Sequence, residues 1–128
     1  MRRHAPKSGS RAARVGALVL REAAQWVLTE IDEARTRQAA LAEADVSPDL
    51  KQARIYVTHY QGEAAAREAV ARLNAAAPRM RRDLASRLRL RVAPNLVFSY
   101  DPSVDQGFRI DALLDRARRE RGEGGEDS

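Results

Sequence analysis

Apolar residues near the start of the chain keep a helical beat. Val15, Leu18, Val19, Ala23, Trp26, Val27 and Ile31 recur at steps of three and four with no proline among them, which predicts a helix over residues 11–31 with a broad buried arc. Trp26 reads as a core anchor on that arc, and Arg11, Arg14 and Arg21 fall on the outer side. Residues 32–37 are polar and read as a connection. Residues 39–46 carry four Ala and Glu43, residue types that by propensity favour helix over strand. The Val46-Ser47-Pro48-Asp49 sequence that follows has the residues of a β-turn, and a turn there pairs residues 41–46 with the next segment. That next segment, 54–60, is the clearest strand. Ile55, Val57 and His59 alternate with Tyr56, Thr58 and Tyr60, and His59 is expected at the strand end as a neutral surface or boundary group.

After Gln61-Gly62-Glu63 the period returns to that of a helix, with Ala66, Ala69, Val70 and Leu73 on one face. Pro78 cannot continue this helix without losing a backbone hydrogen bond, but suits the first turn of a new one. A helix-kink-helix around residues 75–78 is the expectation. The second half carries Met80, Leu84 and Leu88 four apart, with Arg79 and Arg82 pointing away from that stripe. Residues 96–100 form the last strand, Asp101-Pro102-Ser103 ends it, and a loop through Gly107 leads to a short terminal helix over 110–119. Residues 1–10 are polar and basic and read as a flexible arm, and residues 121–128, RGEGGEDS, as a disordered acidic tail. One α+β domain spanning 11–120 remains, which suits a chain of 128 residues.

Charge changes the picture more than size does. The net charge is +5 and the pI about 10.4, so polyanions are the natural partners. Of the 23 basic residues only Lys7 and Lys51 are lysine, and arginine favours bidentate phosphate contacts. Absence of cysteine excludes disulfides, thiol catalysis and cysteine-based zinc sites. His4 and His59 alone make no metal centre, and no cofactor is expected. No run of about 18 apolar residues is present to span a membrane, nor is there a secretory signal; a cytoplasmic protein is expected.

Arg79, Arg81, Arg82, Arg87, Arg89 and Arg91 stand within 13 residues against one acid, Asp83. Such a cluster neutralises phosphates with little sequence preference. No nucleophile elbow, P-loop or zinc-protease motif occurs, and Ser47 with Asp49 and Asp101 with Ser103 are ordinary turn chemistry. No enzyme is expected. A helix-turn-helix over 64–88 would offer a DNA-binding alternative, but strands on either side argue against it. The other rival is a protein-interaction module whose basic helix docks on an acidic partner, with incidental RNA affinity.

The pieces VSPDLKQARIYVT at 46–58, LRLRVAPNLVFSYDPS at 88–103 and GFRIDALL at 107–114, in that order, together resemble the ribosome-binding factor A family of bacteria. Arg11-Ala-Ala-Arg14-Val15 with Glu22 and Leu28 also resembles that family's opening helix, so the likeness covers about residues 11–115. It implies a KH-like domain of type II topology, α-β-β-α-α-β. Members bind the small ribosomal subunit late in its maturation, assist processing and folding of 16S rRNA, leave before translation and are not enzymes. The family's two central helices meet at an Ala-x-Gly kink. The matching positions here are Ala76, Ala77 and Pro78, where alanine is kept and glycine replaced by a residue that cannot adopt positive φ. At Asp32-Glu33-Ala34-Arg35, where the family shows Asp-Pro-Arg, only Arg35 matches. On this reading Arg14, Arg79, Arg82, Arg89 and Arg91 grip rRNA phosphates on the kink side. The partners are the small subunit and its 16S rRNA, and the free protein is a monomer.

Overall fold

Ser10 opens the first helix by accepting a hydrogen bond from the Ala13 amide at 3.0 Å, the N-cap geometry that satisfies one orphan donor. From there a computed structural model describes residues 10–91 and 93–122. The basic arm expected over 1–10 therefore lies, except for Ser10, outside the described residues, as does the tail beyond Gly122. Helix α1 (Arg11–Glu30) follows the predicted span, and Trp26 on its inner face is fully buried. The predicted connection contains a single helical turn, α2 (Ala34–Arg37). Arg37 donates to the Ile31 carbonyl at 3.0 Å, which closes the end of α1.

Strand β1 (Ala40–Val46) forms despite its Ala-rich composition, because the turn after it dictates a partner. In that turn the Ser47 amide donates to the Gln52 carbonyl at 2.9 Å, and Ser47 Oγ and the Lys51 amide both donate to Asp49 Oδ1 at 2.7 and 3.1 Å. Those bonds, led by the Ser47 hydroxyl, hold the Asp49 carboxyl below its ordinary pKa. Strand β2 (Gln52–Thr58) runs antiparallel to β1, with Val46 opposite Ala53 and a register shift between Leu41 and Glu43. It begins and ends two residues before the predicted strand. Ala53 joins it because that position is fully buried, and the chain leaves it at His59, whose carbonyl accepts from the Gly62 amide at 3.0 Å. His59 is not the surface or boundary group expected. It is 1% exposed, with Nε2 2.8 Å from the Arg35 carbonyl and Nδ1 accepting from the Gln61 amide at 3.1 Å.

Helix α3 (Glu63–Leu88) starts after Gly62, whose φ of 109° few other residues adopt easily. It runs without interruption through Ala76, Ala77 and Pro78, so the two central helices expected either side of a break are one helix of 26 residues. The buried stripe explains this, since Leu73, Ala77, Met80 and Leu84 keep a single helical phase across the proline. The ring of Pro78 faces solvent. A helix-turn-helix over this span is likewise absent, because α3 contains no turn and packs against the sheet.

Strand β3 (Asn95–Ser99) lies parallel to β2, giving the order β1-β2-β3. Helix α4 (Pro102–Gly122) is far longer than the short helix predicted. Asp101 accepts from the Ser103 amide at 2.8 Å as its cap, and Pro102 takes the first helical position, where a missing N–H leaves no bond unmade. With the central helices joined, the order is the expected KH-like α+β arrangement. Helices α1 and α3 pack against the sheet residues Ala53, Ile55, Val57, Leu96 and Phe98 to form the core.

Candidate nucleic-acid interface

Helices α1 and α3 lie antiparallel, joined by a polar seam that repeats every turn. Glu22 meets Arg87 at 3.7 Å, Trp26 Nε1 donates to Asp83 Oδ2 at 2.8 Å, and Glu30 meets Arg79 at 3.8 Å. Each step of four residues along α1 is matched by four residues back along α3, the spacing that keeps side chains on one face of each helix. Below the seam α2 is tied to the start of α3, with Arg72 at 2.9 Å from Glu33 and Arg35 at 3.6 Å from Glu68. Arg35, the residue shared with the family's loop, thus pairs with α3.

The seam sorts the six clustered arginines. Arg79 lies over the Trp26 ring at 4.8 Å from its centroid and beside Glu30. Arg81 turns inward and donates from Nε and Nη2 to the Ala93 carbonyl at 3.1 and 2.9 Å, holding the segment that leads into β3. Arg87 faces Glu22. Arg82, Arg89 and Arg91 are exposed and make no side-chain hydrogen bond or ion pair among the described residues. Asp83, the one acid of the cluster, accepts from the Trp26 indole, and none of those three guanidinium groups pairs with a carboxylate among the described residues.

Arg82 lies on the exposed stripe of α3 that also carries Pro78 and Ser86. Arg89 occupies the left-handed position that ends the helix, at φ 53° and ψ 37°, and Arg91 follows two residues later. The antiparallel packing brings the N-terminal end of α1, with Arg14 exposed on it, to this same end of the domain. Arg14 has an interaction of its own. Of the five arginines singled out from sequence, Arg14, Arg89 and Arg91 share this end, while Arg82 sits about two turns back along α3 and Arg79 almost one turn further. The backbone at Ala76 and Ala77 packs against the core instead of forming a loop. Sequence alone does not reveal that Trp26 holds Asp83, because that contact spans 57 residues. Among the described residues, no group of three or more His, Asp or Glu side chains is placed to hold a metal ion.

A sequence profile described as ribosome-binding factor A matches residues 11–114. The chain belongs to that family. The ribosome-binding factor A of Nitrosococcus oceani is 40% identical over 119 residues, which cover 93% of this chain and 94% of that one. That of a Synechococcus strain is 41% identical over 110 residues, covering 84% and 76%. Among solved structures, the crystal structure of ribosome-binding factor A from Thermus thermophilus superposes with a TM-score of 0.61 at 25% identity, over 70% of this chain and 94% of that one. The Thermus thermophilus factor as fitted into a cryo-EM map of a 30S–RbfA complex gives a TM-score of 0.56 at 25% identity, over 66% and 88%. The resemblance expected over residues 11–115 is thus borne out, and the shared fold is KH-like. No helix among the described residues is long and apolar enough to cross a membrane.

Proposed function

We propose that this chain is an assembly factor of the cytoplasm that binds the small ribosomal subunit and its 16S rRNA during late maturation and rRNA processing. It acts by binding, without catalysis, and is a monomer when free. The observation that carries this reading is its likeness to the Thermus factor fitted into a 30S complex.

Its own residues suggest how the contact is made. Arg82, Arg89 and Arg91 present guanidinium groups without a carboxylate partner along the last two turns of α3 and the residues after it, suited to rRNA phosphates, with Arg14 flanking the far end. Arg79 already shares its charge with the Trp26 ring and Glu30, so it contributes less than Arg82. No base-reading platform accompanies these arginines, so shape and phosphate spacing choose the site.

Sedimentation with immature small subunits, mature small subunits and large subunits at moderate salt tests the reading. Preferential co-sedimentation with small-subunit particles is the expected result, and an Arg82→Glu substitution should weaken it about tenfold or more, with the fold intact. Equal binding to all three particles, erased by salt, would remove the ribosomal assignment. Retained small-subunit binding by an Arg82→Glu, Arg89→Glu, Arg91→Glu triple variant would instead move the contact to another face.

A further inference from the structure

At the far end of the sheet from the arginine face, α4 borders a groove of about 470 Å³ against the start of β1 and the exit of β2. Such a volume lies within the range of about 300–1,000 Å³ that holds a small organic ligand. The start of α4 is fixed. Asp105 accepts from the Tyr100 hydroxyl at 2.7 Å and from Arg109 Nε at 2.8 Å, and Arg109 Nη2 donates to the His59 carbonyl at 2.8 Å. Beyond that anchor α4 turns Phe108, Leu113 and Arg116 toward the groove.

The opposite wall is Tyr60. Its ring is 69% exposed and stacks by one face on buried His59, with centroids 5.2 Å apart and planes 21° apart. His59 is itself held through both ring nitrogens, so Tyr60 rests on a fixed support and its second face remains open. Phe108 and Leu113 are also substantially exposed across the gap. Arg116, at the rim, makes no hydrogen bond or ion pair among the described residues. A flat apolar slot with an aromatic platform and an uncompensated guanidinium at its mouth matches a nucleobase with its phosphate.

We infer that the groove between α4 and the β2 exit binds a splayed-out nucleotide of single-stranded RNA, with the base stacked on Tyr60 against Phe108 and the phosphate on Arg116. This rests on the reading that the chain works on RNA, and adds a second contact unlike the first. The arginine face grips phosphates by charge, whereas the groove requires an unpaired base. The seven-residue length of β2 separates the two by about 20 Å.

The test uses the full chain and a fluorescein-labelled single-stranded hexauridylate, read by anisotropy, with amide chemical shifts to locate the contact. Tyr60→Ala and Arg116→Glu should each weaken binding about tenfold, Tyr60→Phe should keep it, and Arg82→Glu should change it less than Tyr60→Ala does. Shifts should concentrate at Tyr60, Phe108 and Leu113. Because Tyr60 and Arg116 are exposed, all four variants should retain the wild-type melting temperature. Hexauridylate affinity unchanged within about twofold by Tyr60→Ala would overturn the assignment. So would a concentration-dependent dimer dissolved by Leu113→Glu, since a second copy would then occupy the groove. Failure here with small-subunit binding still dependent on Arg82 would sink the groove and leave the assembly-factor reading standing. Loss of subunit binding specificity with Tyr60-dependent hexauridylate binding would do the reverse.

Discussion

Asn74 shows how one side chain can finish a sheet. Its Nδ2 donates to the Phe98 carbonyl at 3.0 Å, and its Oδ1 accepts from the Phe98 amide at 2.8 Å. The amide group thereby takes the place of a further strand along β3, an edge that would otherwise offer open donors and acceptors. Asn74→Ala should cost about 1–3 kcal/mol in urea denaturation, toward the lower part of that range because Asn74 faces solvent and water can replace part of the pair. A loss below the error of the measurement would mean that water replaces it fully. Tyr100 supplies a second test at this scale. Its hydroxyl donates to Asp105, and that bond first, then burial and the nearby charge, pushes its pKa from the ordinary 10.0 up to about 12. A group held protonated in the folded state stabilises fully below pH 10, and that contribution falls away as pH climbs through about 12. Tyr100→Phe should therefore melt lower than the wild type at neutral pH, with the gap closing above pH 10. A gap independent of pH across that window would show that the hydroxyl is not held by Asp105.

Elements are legible in the sequence where their signal is local. The stripe of α1, the alternation of β2 and the turn at Ser47 to Asp49 each follow from neighbours in sequence, and each forms about where the residues predict. Helix α3 departs from expectation because Pro78, taken on its own, is a breaker, whereas the phase of Leu73, Ala77, Met80 and Leu84 across it decides the outcome. Helix α4 exceeds its predicted length for the opposite reason. Asp101 and Pro102 read as a strand terminator, although cap followed by proline is also how a helix begins. The arginine cluster can be counted from sequence, but its division into engaged and open members cannot, since the acids that engage Arg79 and Arg87 come from α1. The α1–α3 seam can be tested directly. Trp26→Phe removes the indole N–H from the part-buried Asp83 and should cost about 1.5–3 kcal/mol. Combined with Asp83→Asn, it should cost less than the sum of the two single changes, which thermal and urea unfolding of all four proteins would measure. Strict additivity would show that the two residues do not act as a pair.

At the scale of the whole molecule, the net charge of +5 is unevenly distributed. Part of the positive charge of α3 is paired by Glu22 and Glu30 of α1 and by Glu33, and what remains open lies along the last two turns of α3 and the residues after it. Affinity for the small subunit should accordingly depend on a few guanidinium groups instead of on overall charge. Each phosphate contact contributes about 0.7–0.9 to the slope of log affinity against log salt, through the counterions it releases. Replacing Arg82, Arg89 and Arg91 together by Gln should reduce that slope by about two to three. Replacing three arginines of α4 remote from the groove, Arg118, Arg119 and Arg121, lowers the net charge by the same amount but should leave the slope nearly unchanged. Titrations of both triple variants with small subunits across a range of potassium chloride separate the two cases. A similar fall in slope for both would mean that diffuse charge governs binding, and the positions left open by the α1–α3 seam would then have no special part in it.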